Sequence, residues 1–123
     1  MAGTYTDIVD IAVSASARAG DLVLVTIWIK NTWSDSVRVA AIGIMDAAER
    51  FIDWQYSWIP AGATQSFSGS FIMPNRDVTI HAYSYYEGVD GWMYFDDEAE
   101  KDVSLVVLEP VFQHFGLTEY IKV

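Results

Sequence analysis

The side chains best suited to chemistry in this chain are Asp77, His81 and Ser84, which lie close together in the sequence. A serine, a histidine and a carboxylate are the parts of an acyl-transfer triad. The imidazole takes the hydroxyl proton and the carboxylate orients the imidazole. No G-x-S-x-G elbow is present to lift a serine above a sheet. His81 sits between Ile80 and Ala82 in an alternating pattern, so its side chain is expected on the surface of a strand, away from the core. We expect no catalytic site here.

A second group is acidic: Glu87, Asp90, Asp96, Asp97, Glu98, Glu100 and Asp102, opposed within the run only by Lys101. Loop carboxylates are what calcium needs, which makes Ca2+ the one cofactor to weigh. The sequence has no D-x-D-x-D-G loop, and the expected reading is a solvated loop beside a charged edge strand that resists edge-to-edge pairing. A glycosidase pair needs two carboxyls across a cleft, and a small sandwich offers little cleft.

The third group is aromatic. Five Trp, seven Tyr and six Phe are more than one small core absorbs. Trp28, His81, Tyr83 and Tyr85 fall opposite the apolar rows of their strands. If these outward residues adjoin, they form a patch able to stack on sugar rings or to be covered by another protein. A further row, Ile52, Trp54, Tyr56 and Trp58, is expected in the core, because Asp53, Gln55 and Ser57 make its alternate face polar.

The elements that carry these residues read as strands. Leu22–Lys30 places Val23, Val25, Ile27 and Ile29 on one side. Thr64–Met73 places Phe67, Gly69, Phe71 and Met73 opposite Ser66, Ser68 and Ser70. Val78–Tyr86 turns Val78, Ile80 and Ala82 inward. Val37–Met45, Phe51–Ile59, Trp92–Phe95 and Val103–Leu108 complete the set, after a bent or split first strand over Tyr5–Ser14 with Ile8, Ile11 and Val13 as its apolar points. Pro60-Ala61-Gly62 and Asp90-Gly91 punctuate them. No helical period is sustained. The pattern predicts an all-β, immunoglobulin-like antiparallel β-sandwich of about seven to eight strands over residues 1–110, with a C-terminal extension over 111–123.

Four stretches carry a family resemblance: Ala19-Gly20-Asp21 before a Val/Thr-rich strand, Ile29-Lys30-Asn31-Thr32 at its end, Ile59-Pro60-Ala61-Gly62-Ala63-Thr64, and Phe71-Ile72-Met73-Pro74. Together they resemble the cell-adhesion-related bacterial domain (CARDB-like) and similar immunoglobulin-like modules, over roughly Asp7 to Leu108. The resemblance implies a surface, adhesive or assembly module and not an enzyme. Trp33 departs from it, standing where many relatives have Gly after Asn-Thr, and the segment after Pro110 is not part of the usual module.

Composition narrows the partners. Seventeen acidic against seven basic side chains give a net charge of -10, which opposes nucleic acid and anionic membranes. No apolar run approaches the roughly 20 residues that cross a bilayer, and no signal peptide is visible at the N-terminus. With no cysteine, disulfide, zinc-thiolate and thiol-nucleophile readings fall away. The segment 111–123 is apolar to its end, so Phe112, Phe115, Tyr120 and Ile121 are expected to dock, in cis or on a neighbour. The expected function is a non-catalytic structural or interaction module. Its expected setting is a subunit or decoration domain of a viral-particle or extracellular assembly, with protein partners or self-association. The alternative is a small carbohydrate-binding module in which Trp28, Tyr83 and Tyr85 form the stacking platform.

Overall fold

The computed structural model describes residues 2–47 and 49–107. The expectations for Phe112, Phe115, Tyr120 and Ile121, and for the boundary near residue 110, lie outside the described residues.

Eight strands form two sheets: β1 (Thr6–Ala12), β2 (Ser16–Ala17), β3 (Leu22–Asn31), β4 (Val37–Met45), β5 (Glu49–Ile59), β6 (Thr64–Ile72), β7 (Val78–Glu87) and β8 (Met93–Leu105). One sheet has the order β1-β3-β6 and the other β2-β8-β7-β4-β5. All pairings are antiparallel except the short β2–β8 contact. The predicted all-β sandwich is the observed fold; the first strand is interrupted by a register shift between Ile8 and Asp10, and the short β2, which lies past the expected Tyr5–Ser14 strand, joins the other sheet.

The core lies between the sheets and follows the two-residue period of the strands. Val23, Val25, Ile27 and Ile29 of β3 are buried, and they meet Val39, Ala41, Ile80 and Ala82 of the facing sheet. Phe67, Phe71 and Met73 line the same interior. Ile8 and Ile11 are three positions apart yet both face inward, because the β1–β3 register shifts between Ile8 and Asp10. Burial at this level contributes about 1.5–3 kcal/mol for each large aliphatic side chain.

Two elements differ from the sequence reading. Trp92–Phe95 and Val103–Leu108 are not separate strands. β8 runs unbroken from Met93 to Leu105, and the acidic residues from Asp96 to Asp102 lie inside it instead of on a loop, while Glu87 ends β7 and Asp90 stays in the turn between them. Pairing with β7 holds the run extended, from Glu87 opposite Met93 to Val78 opposite Val103.

The second difference is in β5. Its register against β4 shifts on both sides of Gly43, so that Ala41 faces Gln55, Gly43 faces Ile52 and Ile44 faces Arg50. Two extra residues are thus taken up on β5, and Trp54 adopts a φ of 49°, in the left-handed region. A bulge of this kind reverses which face later residues occupy. Ile52 stays in the core, while Tyr56 and Trp58 are exposed. The expectation that Trp54, Tyr56 and Trp58 are core is therefore corrected: the row turns outward at Trp54.

Candidate interaction site

The outward turn of β5 builds an aromatic layer over the five-stranded sheet. Ala40 of β4 is flanked by Tyr56 on β5 and Tyr85 on β7, and Ile42 faces Tyr83. Alanine is small enough for rings from the two flanking strands to meet above it. Trp54 and Tyr85 do so, with ring centroids 4.8 Å apart. Trp54 also stacks near Tyr56, and Phe95 meets both Tyr83 and Tyr85 edge-on. Such pairs contribute about 0.5–1.5 kcal/mol beyond their buried area. Ala40 and Ile42 are consequently 0% and 3% exposed, although they point away from the inter-sheet core.

Charged groups border this layer. The Arg38 guanidinium lies 4.4 Å from the centroid of the Tyr56 ring and 3.3 Å from the Glu87 carboxylate. His81 stacks near Tyr83, and its Nδ1 is 3.5 Å from Glu100. Glu98 and Glu100 stand on β8 opposite Tyr83 and His81. Burial raises the Tyr83 phenol above its ordinary pKa, and the nearby carboxylates Glu98 and Glu100 add to that shift.

Of the outward residues expected from sequence, the structure brings His81, Tyr83 and Tyr85 together and leaves Trp28 apart. Trp28 belongs to β3 in the other sheet, beside Asp10 and Ser66. A platform made jointly of Trp28, Tyr83 and Tyr85 does not form. Trp54, Tyr56 and Phe95 join Tyr83 and Tyr85 instead, and the sequence reading missed them because strand parity fails at the β5 bulge and the outward turn of Phe95 is fixed only by its pairing with β7.

The triad is not assembled either. Ser84 faces the interior, fully buried, with its Oγ 2.7 Å from Thr6 Oγ1. His81 faces the other side of the same strand, and the Asp77 carboxylate accepts the Leu105 backbone N–H at 2.7 Å.

The acidic run divides by position. Asp96 occupies the extra place where the β7–β8 register shifts between Ser84 and Tyr85. Its carboxylate accepts backbone N–H groups of Thr4, Tyr5 and Thr6 and the Thr6 hydroxyl. Asp97, 6% exposed, accepts the Ile8 N–H at 2.9 Å. These two carboxylates tie the N-terminal segment to β8. Among the described residues, no three His, Asp or Glu side chains converge on a point that would hold a metal ion.

A cleft of about 460 Å3 opens at the end of the sandwich, where β4 begins and β7 ends. Tyr5, Trp33, Arg38, Trp58, Tyr86 and Glu87 line it. The Tyr5 ring lies between Trp33, at 4.5 Å, and Tyr86, at 4.2 Å. Asn31 holds the wall. It is fully buried, its amide donates to the carbonyls of Asp35 and Ile59, and its oxygen accepts the Trp33 N–H, all at 2.8 Å.

No protein-family model matches the sequence, and no curated protein matches it. Solved structures do resemble the fold. The CARDB domain of a Pyrococcus furiosus protein, determined in complex with di-metal ions, superposes with a TM-score of 0.65 at 12% identity, covering 86% of this chain and 93% of that one. A chain from the complex of zinc 2-glycoprotein with prolactin-inducible protein, from human seminal plasma, gives 0.63 at 15% identity, covering 84% and 98%. A β-glucosidase of Erythrobacter marinus gives 0.54 at 15% identity, over 82% of this chain but 15% of the enzyme. These likenesses establish a CARDB-like, immunoglobulin-like sandwich.

Proposed function

We propose that this domain is a non-catalytic interaction module that docks a protein partner on the aromatic outer face of its five-stranded sheet. One observation carries the reading. Trp54, Tyr56, Tyr83, Tyr85 and Phe95 form a layer over Ala40 and Ile42, and part of it stays open to water: Tyr56 is 48% and Phe95 51% exposed. A large aromatic patch with a polar border is the usual anatomy of a protein-binding surface.

Charge favours a partner other than a second copy. Chains of net charge -10 repel one another, and Glu98 and Glu100 add acid at the border of the patch. A surface bearing Arg or Lys meets both the rings and the carboxylates. Arg38 on Tyr56 and Glu87 is an example of that contact within the chain. The wider setting, a subunit of an extracellular or virion assembly, belongs to the same proposal and rests on composition.

The test compares surface variants. Tyr56→Glu and Phe95→Glu change exposed groups, and Trp28→Glu places the same charge on the opposite sheet. Proteins of the native source retained on the immobilised domain should be lost with the first two variants and kept with the third. Equal retention by all three, with circular dichroism unchanged, would remove the outer face as the docking surface. A concentration-dependent rise in mass that Phe95→Glu abolishes would make the partner a second copy.

A further inference from the structure

We propose that the end cleft is a binding site for a neutral carbohydrate. The inference is independent of the protein-docking reading, although Arg38 takes part in both surfaces. The chemistry of the lining narrows the ligand stepwise. At about 460 Å3 the cleft is within the range of small-molecule sites. Its walls are aromatic, and two of the rings are open to solvent: Trp33 is 42% exposed and Trp58 63%. Exposed indoles beside a polar floor offer an apolar plane for a ring-shaped ligand.

The floor suits a neutral polar ligand better than a charged one. Arg38 and Glu87 face the cleft as a pair, 3.3 Å apart, and largely neutralise each other, so together they present a donor and an acceptor with little net field. Asp35 faces the cleft as well, and it repels an anion. What remains is a neutral ligand with an apolar face and polar edges.

Two such classes fit aromatic clefts, sugars and proline-rich peptides. Glu87 and Asp35 decide between them. A carboxylate covered by a ligand must receive hydrogen bonds, or its desolvation goes uncompensated. Proline has no backbone N–H to donate. Sugar hydroxyls both donate and accept, so they satisfy the Glu87 carboxylate and the Arg38 guanidinium together. The ring C–H faces then lie on Trp58 or Trp33.

Asn31 makes the site pre-formed. Its hydrogen bond to Trp33 N and its donation to the Asp35 carbonyl set the loop before any ligand arrives. Such ordering lowers the entropy lost on binding.

The test uses nuclear magnetic resonance of the full chain labelled with 15N. Oligomers of β-glucan, xylan, mannan, galactan and chitin are titrated to millimolar concentration, alongside a polyproline peptide. At least one sugar series should shift the indole N–H signals of Trp33 and Trp58 saturably. Trp58→Ala should weaken that binding about tenfold, the equivalent of one good aromatic contact. Glu87→Gln should weaken it as well, and Trp28→Ala, on the other sheet, should leave it unchanged. Trp58 is exposed, so its removal tests binding and not folding. No shift with any oligosaccharide would overturn the proposal. So would a shift that survives Trp58→Ala, or one produced by polyproline and by no sugar.

Discussion

The side-chain oxygen of Asn31 accepts the backbone N–H of Trp33 at 2.8 Å, and the same carboxamide donates to the carbonyls of Asp35 and Ile59. One buried amide thus joins the end of β3, the following loop and the end of β5. The turn after β5 closes on the same residue. Asn31 N donates to the Ala63 carbonyl, and Gly62 N donates to the Asn31 carbonyl. Gly62, at φ 76°, supplies the left-handed residue that this turn requires.

Asn31→Ala should therefore be among the most damaging single changes. Each buried polar group left without a partner costs about 1–3 kcal/mol. Two carbonyls and one N–H lose theirs, and water does not readily replace an amide that is fully buried. Urea unfolding should show a midpoint lowered by several such increments with an unchanged slope. Asn31→Asp keeps the acceptor for Trp33 but places a carboxylate against two carbonyls, and it should do no better. A loss near zero for either variant would mean that the loop is held by other contacts.

Trp54 offers a test of the bulge. A bulky residue at φ 49° is strained, because its Cβ crowds the backbone. Removing the ring costs its contacts with Tyr56 and Tyr85 whichever small residue replaces it. Trp54→Gly should then be more stable than Trp54→Ala by about 1 kcal/mol, since only glycine takes the left-handed region freely. Within an ordinary strand the order is the reverse. Thermal melts of the two variants under one condition decide the matter. Alanine equal to or above glycine would place Trp54 in regular extended backbone.

Much of the fold was legible because alternation is a local signal. The row Val23, Val25, Ile27 and Ile29 announces its buried face, as do Val78, Ile80 and Ala82, and all seven are buried. The fate of the aromatics was not legible. A bulge shifts parity by one residue without changing composition, so Tyr56 and Trp58 read as continuing the face of Ile52. The polar face of β5 also misled: Ser57 is half-buried and Gln55 reaches across to the Ser68 carbonyl of the neighbouring sheet. Trp28 and Tyr83 each read correctly as outward, but which sheet a strand joins depends on pairings far apart in sequence. The acidic β8 failed for a related reason. Asp96 and Asp97 have loop-like composition, yet their carboxylates answer N–H groups about 90 residues earlier in the chain.

Those two carboxylates should differ in weight. Asp97 serves one buried group, the Ile8 N–H, whereas Asp96 serves the N–H groups of Thr4, Tyr5 and Thr6 and the Thr6 hydroxyl, and Thr6 is fully buried. Asp97→Ala should cost about 1–3 kcal/mol, and Asp96→Ala more, because it leaves both the N–H and the hydroxyl of buried Thr6 without this partner. Hydrogen exchange should show the Ile8 amide losing protection in the first variant. The N-terminal contact also requires a bare backbone at Gly3. A Cβ there would come 2.5 Å from the Asp96 carbonyl oxygen, so Gly3→Ala should loosen the same segment. Equal losses for the two aspartates would show that water or Ser84 replaces Asp96 at Thr6.

Acid should act through Asp46. Its carboxylate accepts the Thr79 N–H at 3.0 Å and pairs with Arg76 at 2.7 Å. The Thr79 hydrogen bond is the main cause holding its pKa below the ordinary 3.8, with partial burial opposing and Arg76 assisting. A carboxyl depressed on folding stabilises the native state above its unfolded pKa, and that stability is lost as pH falls through the folded value. Asp46→Asn is the suitable probe. Asp46 sits at φ 56°, and asparagine tolerates the left-handed region. At neutral pH the variant should melt below the wild type, because it loses the charge-assisted bond to Thr79 and the Arg76 pair. As pH drops below 3.8 the wild-type advantage should shrink, and it should vanish once Asp46 is protonated in the folded protein. Melting curves of both proteins from neutral pH to below pH 3.8 test this. A gap that stays constant across the range would show that Asp46 contributes by shape and not by charge.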